Sequence, residues 1–280
     1  MNLGRPARAQ ERYDEALALH ARVGDPRGVA DVLDARAMAA MLDGDITEAV
    51  ALFERVARLF SDVGDLLRVV TPRSTRGHAL LFAGRPERAL SDTADALELA
   101  RSLGHPEGEA YASWHHSEAL TAAGRVDEAT ATAERGLALA RRIRHRGWIA
   151  TTSRALGIAC EATGDVAGAR TAFRRSLEAA ERVPLFTSWA HARLGLLLVA
   201  DADLSGAATH VDIALTVGPP LGHYEARLAR CALAVARREP GASGLLDDAR
   251  ARAVRGGHHL SARRLAELGG QEARGRPVIG

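Results

Sequence analysis

The chain has 280 residues, of which 47% are apolar but only 4% aromatic, enough to bury a sizeable core and better suited to helices packed through small side chains than to sheet. Acidic and basic residues nearly cancel, to a formal charge of +2, so the chain as a whole carries no polyanion-binding signal. All 37 basic residues are arginine, and the absence of lysine excludes both a P-loop lysine on nucleotide phosphates and a Schiff-base nucleophile.

The N-terminal "MNLGRPARAQ" lacks the apolar run of a signal peptide, and no later uncharged stretch is long enough to cross a bilayer. A cytoplasmic location without membrane contact is the resulting expectation. Pro6 to Arg22 reads as the second helix of a unit whose first helix is missing, either because the chain was cut from a longer array or because this helix is an N-terminal cap.

From there the sequence repeats. Gly44, Gly84, Gly124 and Gly164 share one register, and Ala9, Ala49, Ala89, Ala129 and Ala169 share another five residues after the glycine position. Gly24, Gly64 and Gly104 mark a second turn midway between, so each forty-residue unit holds two helices and two tight turns. Ile46, Ala49, Val50, Phe53, Val56, Ala57 and Phe60 follow the spacing of one helix face, and Val166, Ala169, Ala172, Phe173, Leu177 and Ala180 repeat it. Asp45 with Glu48 forms a capping-box pattern, and Pro26, Pro86 and Pro106 stand at first-turn positions.

Each glycine just past a helix end can take the left-handed conformation that lets the next helix fold back. The alanine one turn later then sits where the pair approach most closely, opposite the small residues Ala37, Gly77, Ser117 and Gly157. Pro72 falls inside a first helix, where its missing donor and its ring predict a kink or break near Val70 to Pro72, with Thr71 capping a restarted helix.

The register loosens towards the C-terminus. Leu194, Gly195, Asp203, Ala207 and Leu215 form a unit shortened by two residues, and "YEARLARCALAVARREPGASGLLDDARARA" a degenerate sixth. The expected organisation is a repeat array over residues 4–255 of about six units and thirteen helices, a capping helix at 256–268 and a disordered tail at 269–280.

In Leu156, Gly157, Gly164, Asp165, Ala169, Phe173 and Leu177 the sequence resembles the tetratricopeptide repeat family, whose L-G, G-D, alanine, aromatic and leucine positions these match in order. The forty-residue unit is longer than the family's usual one, and is similar to units in the sensor regions of large bacterial ATP-dependent transcription regulators and in peptide-pheromone receptors. The resemblance implies an all-α, right-handed helical-repeat solenoid. It also implies a non-enzymatic interaction scaffold or sensor, with a receptor for a short peptide or small effector as the alternative.

In this family the first helix of each unit lines a concave groove. Carried over by position, the groove residues are Asp31, Asp34, Met38, Ser74, His78, Tyr111, Trp114, Glu118, Arg154, Ile158 and Trp189, with a protein or peptide partner expected there and Trp114 as its anchor. Packing of the same rings between repeats is the competing reading.

Other features read more plainly. The two histidines of "WHHSE" point about 100° apart on a helix and have no third ligand, so neither a metal nor a cofactor is expected. No nucleophile-elbow or zincin motif occurs, and no catalytic residue is assigned. "RRIRHRGW" reads as a solvated helix end, which argues against nucleic-acid contact through this region. Cys160 and Cys231 read as buried helical thiols.

Overall fold

A computed structural model describes residues 6–180 and 183–273. Among them are fourteen helices and no strand: α1 Pro6–Arg22, α2 Pro26–Asp43, α3 Ile46–Asp62, α4 Leu66–Phe82, α5 Pro86–Ser102, α6 Pro106–Ala122, α7 Val126–Arg142, α8 Arg146–Ala162, α9 Val166–Ala180, α10 Pro184–Ala200, α11 Leu204–Thr216, α12 His223–Ala236, α13 Ala242–Arg255 and α14 His259–Ala273. The count exceeds the expected thirteen by one. Helix α14 runs past the expected end of the capping helix at Leu268, and the rest of the expected tail lies outside the described residues.

The helices start and stop where the chain's punctuation places them. Asp25, Asp45, Asp65 and Asp203 cap α2, α3, α4 and α11 by accepting from the amide three residues on. Only half of the capping box forms at α3, because the Glu48 carboxylate is taken by Arg36, 2.8 Å away on α2. The turn glycines take positive φ, 83° at Gly44 and 77° at Gly164. At the fourth position of the second turn register the left-handed residue is Arg144, with φ 55°, where a side chain carries a strain that glycine would not.

Packing within each unit follows the small residues. Ala49, Ala89, Ala129 and Ala169 are fully buried. A Cβ at Gly77 would stand 3.1 Å from the Ala89 carbonyl oxygen, and Ser117 donates to the Ala129 carbonyl at 2.9 Å. At Gly157 the space is filled by the ring of Phe173, so close that a Cβ would overlap it.

The break and restart expected at Pro72 do not occur. Helix α4 is a single helix from Leu66 to Phe82, capped by Asp65 and not restarted at Thr71, and Pro72 is buried along with Val69, Val70, Ser74 and Thr75. Burial of this face supports the helix across the missing amide bond.

The array does not stay open. Its first helices α2, α4, α6, α8, α10 and α12 face a common interior, and the C-terminal helices return to the N-terminal ones. The Ile46 amide donates to the Gly256 carbonyl at 3.0 Å, the Leu221 amide to Leu42 at 3.0 Å, and the Tyr224 hydroxyl to Gly44 at 3.0 Å. His258 is stacked on Phe82 with ring centres 4.5 Å apart and packs on Tyr224 at 4.4 Å. One apolar cluster therefore joins Met41 and Phe53 with Tyr111, Trp114, Trp189, Leu221, Tyr224 and Ala262.

Candidate binding site on the inner face

Most of the expected groove residues are packed into the interior of the array, where no open groove presents them. Trp114 is 4% exposed, Arg154 2% and Trp189 2%. Ser74, His78, Tyr111, Glu118 and Ile158 are also buried, whereas Asp34 and Met38 are half-buried and Asp31 is exposed. Trp114 as a solvent-facing anchor is thus corrected. Its ring lies edge-on to Tyr111 and Trp189 and against Phe186, because closure of the array packs these rings together where an open solenoid would present them to solvent.

Charged residues occupy the centre of this interior. Trp114 Nε1 donates to Glu118 at 2.8 Å and Arg154 Nε donates to the same oxygen at 3.0 Å, while His78 Nε2 lies 3.2 Å from the other. Arg154 then forks onto Glu225, Nη1 to Oε2 at 2.7 Å and Nη2 to Oε1 at 2.8 Å, with its guanidinium 4.6 Å above the Trp189 ring. Arg193 continues the chain, donating to Glu225 at 2.8 Å and to Glu161 at 3.0 Å.

Burial alone would raise the carboxyls of Glu118 and Glu225. The Arg154 guanidinium overrides it in both, assisted by His78 at Glu118 and by Arg193 at Glu225, holding Glu118 at about 2 and Glu225 lower still. Glu161 goes the other way, pushed up by burial against the pull of Arg193. Arg264 on α14 is pushed down to about 10 by burial and by the neighbouring Arg193 charge.

This network borders a cleft of about 480 Å³ between α14 and the first helices α4 to α12. Phe82, Ile158, Leu228, Leu260 and Leu268 supply its apolar wall. Of the expected groove residues, Glu118, Arg154 and Ile158 face it. Arg193, Glu225 and Arg264 were not anticipated, because the first two lie in the shortened and degenerate units and Arg264 in the expected capping helix. Their one local signal is a charge set among alanine and leucine, as in "AHARLGLLL" and "YEARLARCALA".

The other motifs resolve locally. His115 Nδ1 lies 2.8 Å from the Ser74 hydroxyl and His116 Nδ1 lies 3.0 Å from that of Thr93, so the two rings serve different contacts. Arg141 and Arg142 end α7 exposed, and His145 caps α8 by accepting from the Trp148 amide at 3.1 Å. Cys231 is buried but Cys160 is only half-buried, and both are free thiols.

Paired antiparallel helices in a repeating array, with first helices turned inward, define a helical-repeat binding fold. Within it, residues 108–182 match the family model described as tetratricopeptide repeat. No curated protein matches the sequence. Among solved structures, the chain is similar to a Rap protein complexed with competence and sporulation factor, at 14% identity and a TM-score of 0.64 over 96% of this chain and 87% of that one. The apo form of RapI gives 11% identity and a TM-score of 0.56, covering 85% and 86% of the two chains. The STAND signal-transduction ATPase with a tetratricopeptide repeat sensor, from Pyrococcus horikoshii, gives 14% identity and 0.53, covering 86% of this chain and 39% of that one. At these identities the likeness is one of fold. No helix among the described residues is long and apolar enough to cross a membrane.

Proposed function

We propose that the chain is a non-enzymatic interaction scaffold or sensor module, working in the cytoplasm as the tetratricopeptide part of a bacterial transcriptional regulator. The observation that carries this reading is the convergence of the first helices α4, α6, α8, α10 and α12 with α14 on one charged inner face, an arrangement that presents side chains for binding. The likeness to the STAND ATPase's repeat sensor supports it at the level of fold. Affinity capture of the tagged chain from native lysate, followed by mass spectrometry, tests it. Stoichiometric recovery of an ATPase or DNA-binding protein is the expected result, and recovery of nothing beyond a control repeat protein contradicts it.

A second reading is a receptor for a short peptide or small effector on the concave side. The cleft favours it, since its volume falls in the range of small-ligand pockets and Glu118, Arg154 and Ile158 already line it.

A further inference from the structure

Closure leaves the hydrogen-bonding capacity of the inner network incomplete in two opposite ways. Arg264 lines the cleft with no hydrogen bond or ion pair to any described residue, although a guanidinium offers five donors. Arg193, its side chain only 8% exposed, spends both terminal nitrogens on glutamates but leaves its buried Nε without an acceptor. Across the same cleft Glu161 accepts a single bond, at Oε2 from Arg193, and its other oxygen has no donor among the described residues. A half-buried guanidinium short of acceptors thus shares a small cavity with a half-buried carboxylate short of donors. They are not paired with each other.

The charge balance decides what can fill the gap. Glu118, Glu161 and Glu225 stand against Arg154, Arg193 and Arg264, and Glu267 stands against Arg263 on the same cleft, so its carboxylates and guanidiniums balance. A bare anion on Arg264 would leave a net negative charge in a partly desolvated site, and a bare cation on Glu161 a net positive one, each at a cost. A ligand carrying both charges satisfies the two groups and preserves neutrality. Phe82, Ile158, Leu228, Leu260 and Leu268 give the cavity an apolar wall, and Thr121, Arg263, Glu267 and Gln271 also line it.

We propose that the cleft between α14 and the first helices binds a small zwitterion with an apolar body, its carboxylate on Arg264 and its ammonium on Glu161. This chemistry is common to a free apolar α-amino acid and to a short apolar peptide. The proposal rests on the receptor reading given above and assigns it a ligand class and the two residues that hold the charged ends.

Isothermal titration calorimetry on the full chain tests it with five probes: leucine, phenylalanine and dileucine as zwitterions, isocaproate without the ammonium, and isoamylamine without the carboxylate. At least one zwitterion is expected to bind with one-to-one stoichiometry. Binding by the amino acids identifies a free metabolite as the source, and binding by dileucine alone identifies a peptide. Isocaproate and isoamylamine should bind at least about tenfold more weakly, a difference of about 1.4 kcal/mol. Arg264→Gln and Glu161→Gln should each lose at least about tenfold in affinity for the zwitterion while keeping the parent's melting temperature, and Arg264→Lys should recover part of the loss. The truncated probes on the parent protein keep the test decisive where a variant does not fold. Failure of every zwitterion to bind at millimolar concentration, equal binding of the truncated probes, or an Arg264→Gln variant that binds as well as the parent would each overturn the proposal. A protein captured from lysate alongside a silent calorimeter would sink this proposal and leave the scaffold reading standing, while the opposite pair of results would do the reverse.

Discussion

Arg154 on α8 and Glu225 on α12, seventy-one residues apart, are joined by two parallel hydrogen bonds of 2.7 and 2.8 Å in the interior of the array. No local repeat places them together. The pair spans α10, whose Arg193 shares Glu225, and ties three successive first helices across the inner face. Glu225 also accepts from Arg193, so Glu225→Ala leaves two guanidiniums short of their shared carboxylate. The expected loss is about 3–5 kcal/mol in a chemical denaturation experiment. A loss below about 1 kcal/mol, the level of a surface pair, would mean that the interior is hydrated and open.

Trp114 provides an independent test. It packs on Tyr111, Phe186 and Trp189 and donates to Glu118, so Trp114→Ala should destabilise by about 3–5 kcal/mol, as removal of a core aromatic does. A groove anchor would instead give a protein with unchanged melting and weakened partner binding. Thermal melts of parent and variant separate the two outcomes.

Ala169 is fully buried where α9 lies against α8. Ala169→Leu should cost about 1–3 kcal/mol through overpacking, and urea melts of the two proteins would show a lower midpoint at an unchanged slope. An unchanged midpoint would remove the alanine register from the packing account.

Acid should unfold the protein in two stages. His258 is held down to about 3, chiefly by burial and despite the pull of Glu225, and burial together with the neighbouring His78 ring keeps His115 well below its usual value. Below pH of about 6.5 the unfolded chain takes up protons on these rings that the native state refuses, so stability falls as pH drops through that window. Glu118 has a native value of about 2 against an ordinary 4.5, so its contribution is present above the unfolded value and lost as pH falls from about 4.5 towards 2. Denaturant midpoints measured from pH 7 to pH 3 should decline throughout. A flat profile between pH 6.5 and 5 would show that the buried histidines are accessible to protons.

The sequence made the array legible because turns and close helix contacts are local. Gly164 must take a positive φ and Ala169 must be small whatever the far end of the chain does. The inward face was equally legible, since Ser74, Trp114 and Arg154 recur at forty-residue steps. What covers that face was not. Tyr224, Glu225 and His258 lie in units whose register has decayed, and their partners Gly44, Arg154 and Phe82 are up to 180 residues away. Periodicity reports neighbours in a stack and carries nothing about how far the stack curls. Pro72 shows the same limit, because its local cost is outweighed by burial that only the assembled array supplies.

Amide hydrogen exchange at Ile46, resolved by nuclear magnetic resonance, tests closure of the array most directly. Ile46 is the first residue of α3, a position whose amide has no intrahelical acceptor, and its bond goes to the Gly256 carbonyl across the closure. Val126 occupies the same position two repeats later, at the start of α7, and provides the internal control. The closed array predicts that Ile46 exchanges orders of magnitude more slowly than Val126, with protection lost together with that of the Leu221 amide on Leu42. Exchange of Ile46 as fast as Val126 would show that the C-terminal helices do not seat on the N-terminal units, and the closed interior would be contradicted.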